Sequence, residues 1–204
     1  MELWDLYTHD RQPTGETHVR GEKLPPERYH LVVHVWIKNS KGQWLISQRS
    51  ASRPNFPLMW ECVGGSVTAG EDSLTGAIRE AKEEVGVDLD PAQGKLISST
   101  VREHFQDIKD DWVFQYDGPV SLRNATTDEV ADMRWMTVSE IRQLYEEGKL
   151  VHTLEYFFEH PKLGGTSTCT WRKSNLMPLP GRLPVKERLN MQAGACPSLK
   201  MPWK

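Results

Sequence analysis

Gly65 to Val87 reads GSVTAGEDSLTGAIREAKEEVGV, and Glu80, Glu83 and Glu84 within it fall one helical turn apart. At about 100° per residue, Glu83 lies roughly 60° to one side of Glu80 and Glu84 roughly 40° to the other, so the three share an arc of about 100°. Leu74, Ala77, Ile78, Ala81 and Val85 form an adjoining apolar stripe. That is the pattern of a helix with one side buried on a sheet and its acidic edge turned to a cleft. Asp72 or Ser73 suits its N-cap and Gly86 its C-terminal stop. Arg79, in the same turn, can pair with Glu71 and hold the preceding loop to the helix. Carboxylates this close repel one another unless a hard cation occupies the strip. An acidic pair alone usually marks a solvated face; the neighbouring residues decide against that here.

Those neighbours stand at fixed distances. Gly65, Glu71, Arg79-Glu80, Glu83-Glu84, Gly86 and Val87 match G-x5-E-x7-R-E-U-x-E-E-x-G-U, with U a bulky aliphatic residue. The stretch resembles the Nudix box. Ala81 is the one departure; it stays on the apolar stripe, so slightly poorer packing and no loss of chemistry is expected. Upstream, Trp44-Leu45-Ile46-Ser47-Gln48-Arg49-Ser50 and Trp60-Glu61-Cys62-Val63-Gly64-Gly65 read like the strand and loop that lead into such a box. Glycines at 64 and 65 let backbone approach a ligand closely.

The resemblance implies a Nudix-type α/β/α sandwich with a mixed β-sheet over residues 1–160. It implies Mg²⁺, or Mn²⁺, held by Glu80, Glu83, Glu84 and a carbonyl of Gly64 or Gly65. It also implies hydrolysis of a diphosphate linkage, X–O–P–O–P, in a nucleoside-diphosphate-type or other small organic diphosphate. Such a cation neutralises phosphate charge and lowers the pKa of bound water. Glu80, Glu83 and Arg79 are the expected catalytic residues of the box. A general base from a later loop is expected among Glu129, Glu103 and His104. A surface salt bridge is an equal reading for Glu129. Trp60, Phe105 and Trp112 are candidates to touch the substrate, or else core.

Two other readings stay open. Tyr29-His30-Leu31, Trp36, Lys41-Gly42-Gln43 and Gln48-Arg49 are also similar to isopentenyl-diphosphate isomerase, a relative on the same fold. The cysteine and histidine that this enzyme carries before its box-like stretch are replaced by Gly64-Gly65-Ser66, and Lys23 stands where another histidine ligand belongs. Cys62, two positions off, is better read as a small buried hydrophobe. The other reading is a Nudix-fold binding module without catalysis, which the complete set of box acids opposes.

The rest of the chain reads as mixed α/β. His30–Lys38 (HLVVHVWIK) is apolar almost throughout, as in a strand buried on both faces. Asn39-Ser40-Lys41-Gly42 is a turn, and Gln43 to Gln48 is expected to return as a hairpin strand. Further strands are expected near Leu96–Arg102, Trp112–Tyr116 and Met133–Met136, and helices near Val138–Glu147 and Leu150–Glu159. Val151, Leu154, Phe157 and Phe158 have helical spacing suited to core packing.

The chain has 204 residues, 38% of them hydrophobic, and a formal net charge of −3. That length supports one substantial core. From 161 to 204 there are eight Lys/Arg against Glu187 alone, a net of +7 that leaves −10 for residues 1–160. This basic, proline-containing extension is expected to be loosely ordered and inert; its two aromatics, Trp171 and Trp203, are too sparse to stack nucleic acid. No apolar run approaches the ~20 residues of a membrane span, MELWDLYTHD lacks the features of a signal peptide, and Cys62, Cys169 and Cys196 show no metal spacing. A cytoplasmic protein is expected. Its expected partner is a small-molecule diphosphate, with no membrane and no nucleic acid, and a homodimer stays open.

Overall fold

The computed structural model describes residues 2–165. From residue 166 on, the expected extension lies outside the described residues. The architecture is an α/β sandwich around a mixed seven-stranded sheet. At its centre lies β3 (His30–Lys38), whose continuous apolar run needs cover on both faces. It pairs in parallel with β8 (Asp107–Gln115) over its whole length. Outside β8 lies the antiparallel β7 (Gly94–Arg102).

The expected hairpin forms only at its tip. β4 (Trp44–Arg49) meets β3 at the single pair Lys38↔Trp44 and then diverges. It pairs instead with β5 (Trp60–Glu61) and β9 (Val130–Met136). The vacated edge of β3 is taken by β6 (Val63–Ser66), in the register His34↔Gly64 and Val33↔Gly65. This splitting brings the two glycines to the centre of the molecule.

Two cores cover the two faces. On one, α1 (Ser73–Val85) buries Ala77, Ala81 and Val85 against Val33, Val35, Val63 and Phe114. Asp72 caps α1 by accepting from the Thr75 amide, and Gly86 ends it in the left-handed conformation with φ 67°. Ala81 is fully buried, so the departure from the family pattern keeps its place in the core. On the other face, α2 (Val138–Glu146) contributes Ile141 beside Trp36, Trp44, Leu154 and Phe157. The second expected helix is a 3-10 segment, His152–Phe158. Its buried residues Leu154 and Phe157, with the buried Val151 just before it, recur every third position, the 3-10 period. Leu163 joins this core too.

An N-terminal hairpin, β1 (Leu3–Tyr7) with β2 (Pro13–Val19), adds to the expected elements. It braces the loop before α1: the Ala69 amide donates to Leu3 O at 2.8 Å and the Gly70 amide to Asp5 Oδ2 at 2.7 Å. Among the described residues no helix is long and apolar enough to cross a membrane.

Candidate active site

The acidic edge of α1 faces the β6 glycines. A Cβ on Gly64 would lie 2.3 Å from Val33 O, and one on Gly65 2.4 Å from Glu80 Oε1. At 64 only glycine clears the backbone of β3, and at 65 a side chain would have to displace the Glu80 carboxylate. The Gly64 amide donates to Glu84 Oε2 at 3.3 Å, so strand and helix also meet through the box itself.

Arg79 organises the strip. Its Nε donates to both carboxylate oxygens of Glu71, at 3.0 and 3.1 Å, as the spacing predicts. One terminal nitrogen donates to Glu80 Oε1 and Glu83 Oε2, each at 3.0 Å, and the other to Ser66 O at 2.9 Å. Glu71 in turn accepts from the Thr68 amide at 3.2 Å. One planar guanidinium thus fixes the loop, two box acids and the end of β6, a task for its forked donors.

Negative charge here outruns its compensation. Glu84 is 6% exposed, and burial, then Glu80 and Glu61, push its carboxyl well above the usual range, with the Gly64 amide opposing. Burial also raises Glu80, partly offset by Arg79. Glu61 is raised by burial against the nearby Arg49, with which it forms an ion pair. Glu61 was not picked out in the sequence, although it directly precedes the Cys62-Val63-Gly64 stretch. Glu129, paired with Arg53, adds its field to Glu61, Glu80 and Glu84. The buried, mutually repelling carboxylate oxygens and the glycine cradle have the chemistry of a hard-cation site. Among the described residues no three His, Cys, Asp or Glu side chains already converge as a ready cage; Arg79 holds Glu80 and Glu83 instead.

Other candidates sit elsewhere. Glu103 accepts from the Tyr29 hydroxyl at 2.6 Å and pairs with His9 at 3.0 Å. His104 packs on the ring of Phe105. Neither partner set includes a box acid. Trp60 belongs to the core on the α2 side, whereas Trp112 is partly buried against the core on the α1 side, its indole donating to Ser73 Oγ at 2.8 Å. Phe105 is half exposed. Cys62 is buried, and burial raises its thiol well above the ordinary value, the state of an inert rather than a nucleophilic cysteine.

A mixed sheet is thus split at its centre, with a glycine strand facing an acidic helix. The pattern described as the NUDIX domain matches residues 28–159, and the chain belongs to the Nudix hydrolase family. The uncharacterized Nudix hydrolase lmo0368 of Listeria monocytogenes is 39% identical over 160 residues, 78% of this chain and 91% of that protein. The isopentenyl-diphosphate Delta-isomerase of Escherichia coli is 32% identical over 82 residues, 40% of this chain and 45% of its own. Among solved structures, DR0079 from Deinococcus radiodurans superposes with a TM-score of 0.59 at 23% identity, covering 74% of this chain and 92% of that one. The expected architecture is the one observed.

Proposed function

We propose that the protein is a Mg²⁺-dependent hydrolase of a diphosphate linkage in a small organic substrate. The observation that carries this reading is the partly buried acid strip of α1, with Glu84 at its buried end, laid against Gly64 and Gly65. Glu80, Glu83 and Glu84, with a carbonyl of Gly64 or Gly65, would hold the cation, and Mn²⁺ would suit the same oxygen donors. When bound, it supplies charge for the phosphate oxygens and acidifies a bound water. The chain's own residues do the rest. Arg79 sets the rotamers of Glu80 and Glu83, and Glu71 anchors Arg79 to the loop. Glu129 is the candidate base, because its field reaches Glu80 and Glu84. Arg53 pairs with it and orients it.

The isomerase reading is the weaker one on chemistry, since Cys62 is buried with a raised thiol pKa. A panel of nucleoside and non-nucleoside diphosphates with Mg²⁺ and Mn²⁺, including isopentenyl diphosphate scored for isomerisation, tests the proposal. Metal-dependent release of phosphate or a phosphorylated product, lost by orders of magnitude in Glu83→Gln and Glu84→Gln, is the expected result. Full activity in both variants would sink the metal assignment, and binding with no turnover on any diphosphate would favour a non-catalytic module.

A further inference from the structure

The loop that carries Glu129 is tied to the box helix at one atom. Where α1 ends, the Gly86 and Val87 amides donate back to Lys82 O and Ala81 O, each at 3.1 Å, which leaves the Glu83 carbonyl open to another partner. Three donors from one short segment converge on it: the Thr126 amide at 2.9 Å, the Thr127 amide at 3.2 Å and the Thr127 hydroxyl at 3.1 Å. The same loop crosses directly over Gly86, where a Cβ would stand 2.7 Å from both Ala125 N and the Asn124 carbonyl carbon. Gly86 therefore ends the helix and also lets the loop close on it.

Two residues further on the chain is fixed again, this time to β4 and the loop that follows it. Glu129 O accepts from the Ser50 amide at 2.7 Å, the Glu129 carboxylate pairs with Arg53, and Val130 opens β9 opposite Arg49. Thr127 and Glu129 are joined by two peptide units, which span at most about 7 Å between Cα atoms. Glu129 thus hangs between two anchors, one of them the backbone of a box acid.

Capping alone does not account for this arrangement. The last carbonyls of a helix are satisfied by any donor or by water, and a carbonyl has two lone pairs. Three donors on one oxygen exceed that need. Thr127 is exposed, so its hydroxyl could bond water at little cost, yet it turns to the carbonyl. The carbonyl it meets belongs to Glu83, whose side chain accepts from Arg79 at 3.0 Å. Glu83 is held through its carboxylate, and the loop takes its register from the backbone of the same residue.

We infer that Thr127 is a positioning residue: its hydroxyl, with the two amides, sets Glu129 against the box acids, where its carboxylate can take a proton from the water that attacks the diphosphate. This rests on the hydrolase reading and on Glu129 as its base.

The test compares Thr127→Val, which loses the hydroxyl at similar size, with Thr127→Ser, which keeps it. At saturating Mg²⁺, kcat of Thr127→Val should fall by about 10-fold, part of the roughly 100-fold that a misplacement of about 1 Å costs. KM and the apparent Mg²⁺ affinity should stay within about 2-fold of wild type, and Thr127→Ser should recover most of the loss. In a Glu129→Gln background Thr127→Val should cost nothing further, because the group it positions is gone. Additive losses, a defect that saturating Mg²⁺ repairs, or wild-type turnover in Glu129→Gln overturns the proposal.

Hydrogen exchange in EDTA reads the same tether without turnover. The Thr126, Thr127 and Ser50 amides should be protected in the wild type and exchange together at least about 10-fold faster in Thr127→Val, while amides in the middle of α1 keep their rates. A Ser50 amide unmoved by the substitution would show that the tether stops short of Glu129, and overturns the proposal. Absence of Mg²⁺-dependent turnover on every diphosphate would instead count against the hydrolase reading, while the exchange result still decides whether Thr127 holds the Glu129 segment.

Discussion

Gly65 and Glu80 are in contact through the space a side chain would fill: a Cβ on Gly65 would stand 2.4 Å from Oε1 and 2.6 Å from Cδ of Glu80. The obstruction is the mobile end of a side chain rather than backbone, so Gly65→Ala can fold by moving that carboxylate. The consequence should fall on chemistry. Turnover is expected to drop by about 100-fold, the scale seen when a positioned polar group is misplaced by about 1 Å, with a change in Tm of only a few degrees. Steady-state kinetics beside calorimetry would show it; wild-type turnover in a folded Gly65→Ala protein would remove Glu80 from the site.

Arg79 gives a second test. It bridges Glu71, Glu80, Glu83 and Ser66 O, which a lysine's single ammonium cannot do at once. Arg79→Lys keeps the charge and loses the fork. The apparent Mg²⁺ affinity and kcat should both fall by about 10-fold or more while KM for the diphosphate changes little, because Arg79 acts through the box acids. Hydrogen bonds to charged groups contribute about 1.5–3 kcal/mol, so urea unfolding should register a loss of that order. A uniform rise in KM with kcat and metal affinity intact would mean that Arg79 contacts substrate instead.

Much of this was legible in the sequence because it depends on local periodicity. The α1 stripe, its Asp72 and Gly86 caps, the Arg79–Glu71 pair and the buried strand at His30–Lys38 all follow from residues close in the chain. β8 shows where such reasoning stops. Only Trp112 onward reads as a strand, since Lys109-Asp110-Asp111 has the composition of a loop. In the fold all three are buried: Lys109 pairs with Asp111, while partners distant in sequence meet the two acids, Arg11 holding Asp110 through two hydrogen bonds of 2.5 Å and Tyr156 donating to Asp111. The N-terminal hairpin is missed for a related reason. Its strands are mostly exposed or half-buried, so no alternation marks them, and their role is to brace the box loop. Glu61 gains its place in the acid cluster only because β4 leaves β3 and lets β5 and β6 cross the centre.

Glu84 links stability to function. Its native pKa is raised well above 4.5 by burial. As pH climbs above the unfolded value, the unfolded chain ionises before the native protein does, so this group progressively costs stability. In EDTA at about pH 8, Glu84→Gln should therefore unfold at a higher temperature than the wild type, by a few degrees, and the gap should close as pH falls toward about 4.5. Mg²⁺ should raise the wild-type Tm through the ionised strip and move the variant far less. Calorimetry with EDTA or Mg²⁺ at several pH values reads both effects, and equal Mg²⁺ shifts in the two proteins would deny Glu84 a place among the ligands.

His30 should shape the acid limb of the stability curve. Its ring is stacked on Trp4, centroids 3.9 Å apart and planes within 7°, and its buried Nδ1 has no hydrogen-bond partner among the described residues. Burial lowers its pKa to about 4, against the pull of Asp107 and with the help of Arg102 and Arg20. The native state therefore keeps His30 neutral while the unfolded chain begins to take a proton near pH 6.5. The stability this provides is complete above that pH and is lost as pH falls toward 4, amounting to about 3 kcal/mol at most. His30→Phe preserves a ring on Trp4 and has no proton to accept. Urea unfolding of both proteins across pH 7 to 4 should give a flatter acid limb for the variant, with carboxylate titrations common to the two cancelling in the difference. Because Trp4 belongs to the hairpin that braces the loop before α1, that loop's amides should also exchange faster in the wild type as pH drops, after correction for intrinsic exchange. Parallel limbs for the two proteins would show that His30 does not titrate between folded and unfolded states.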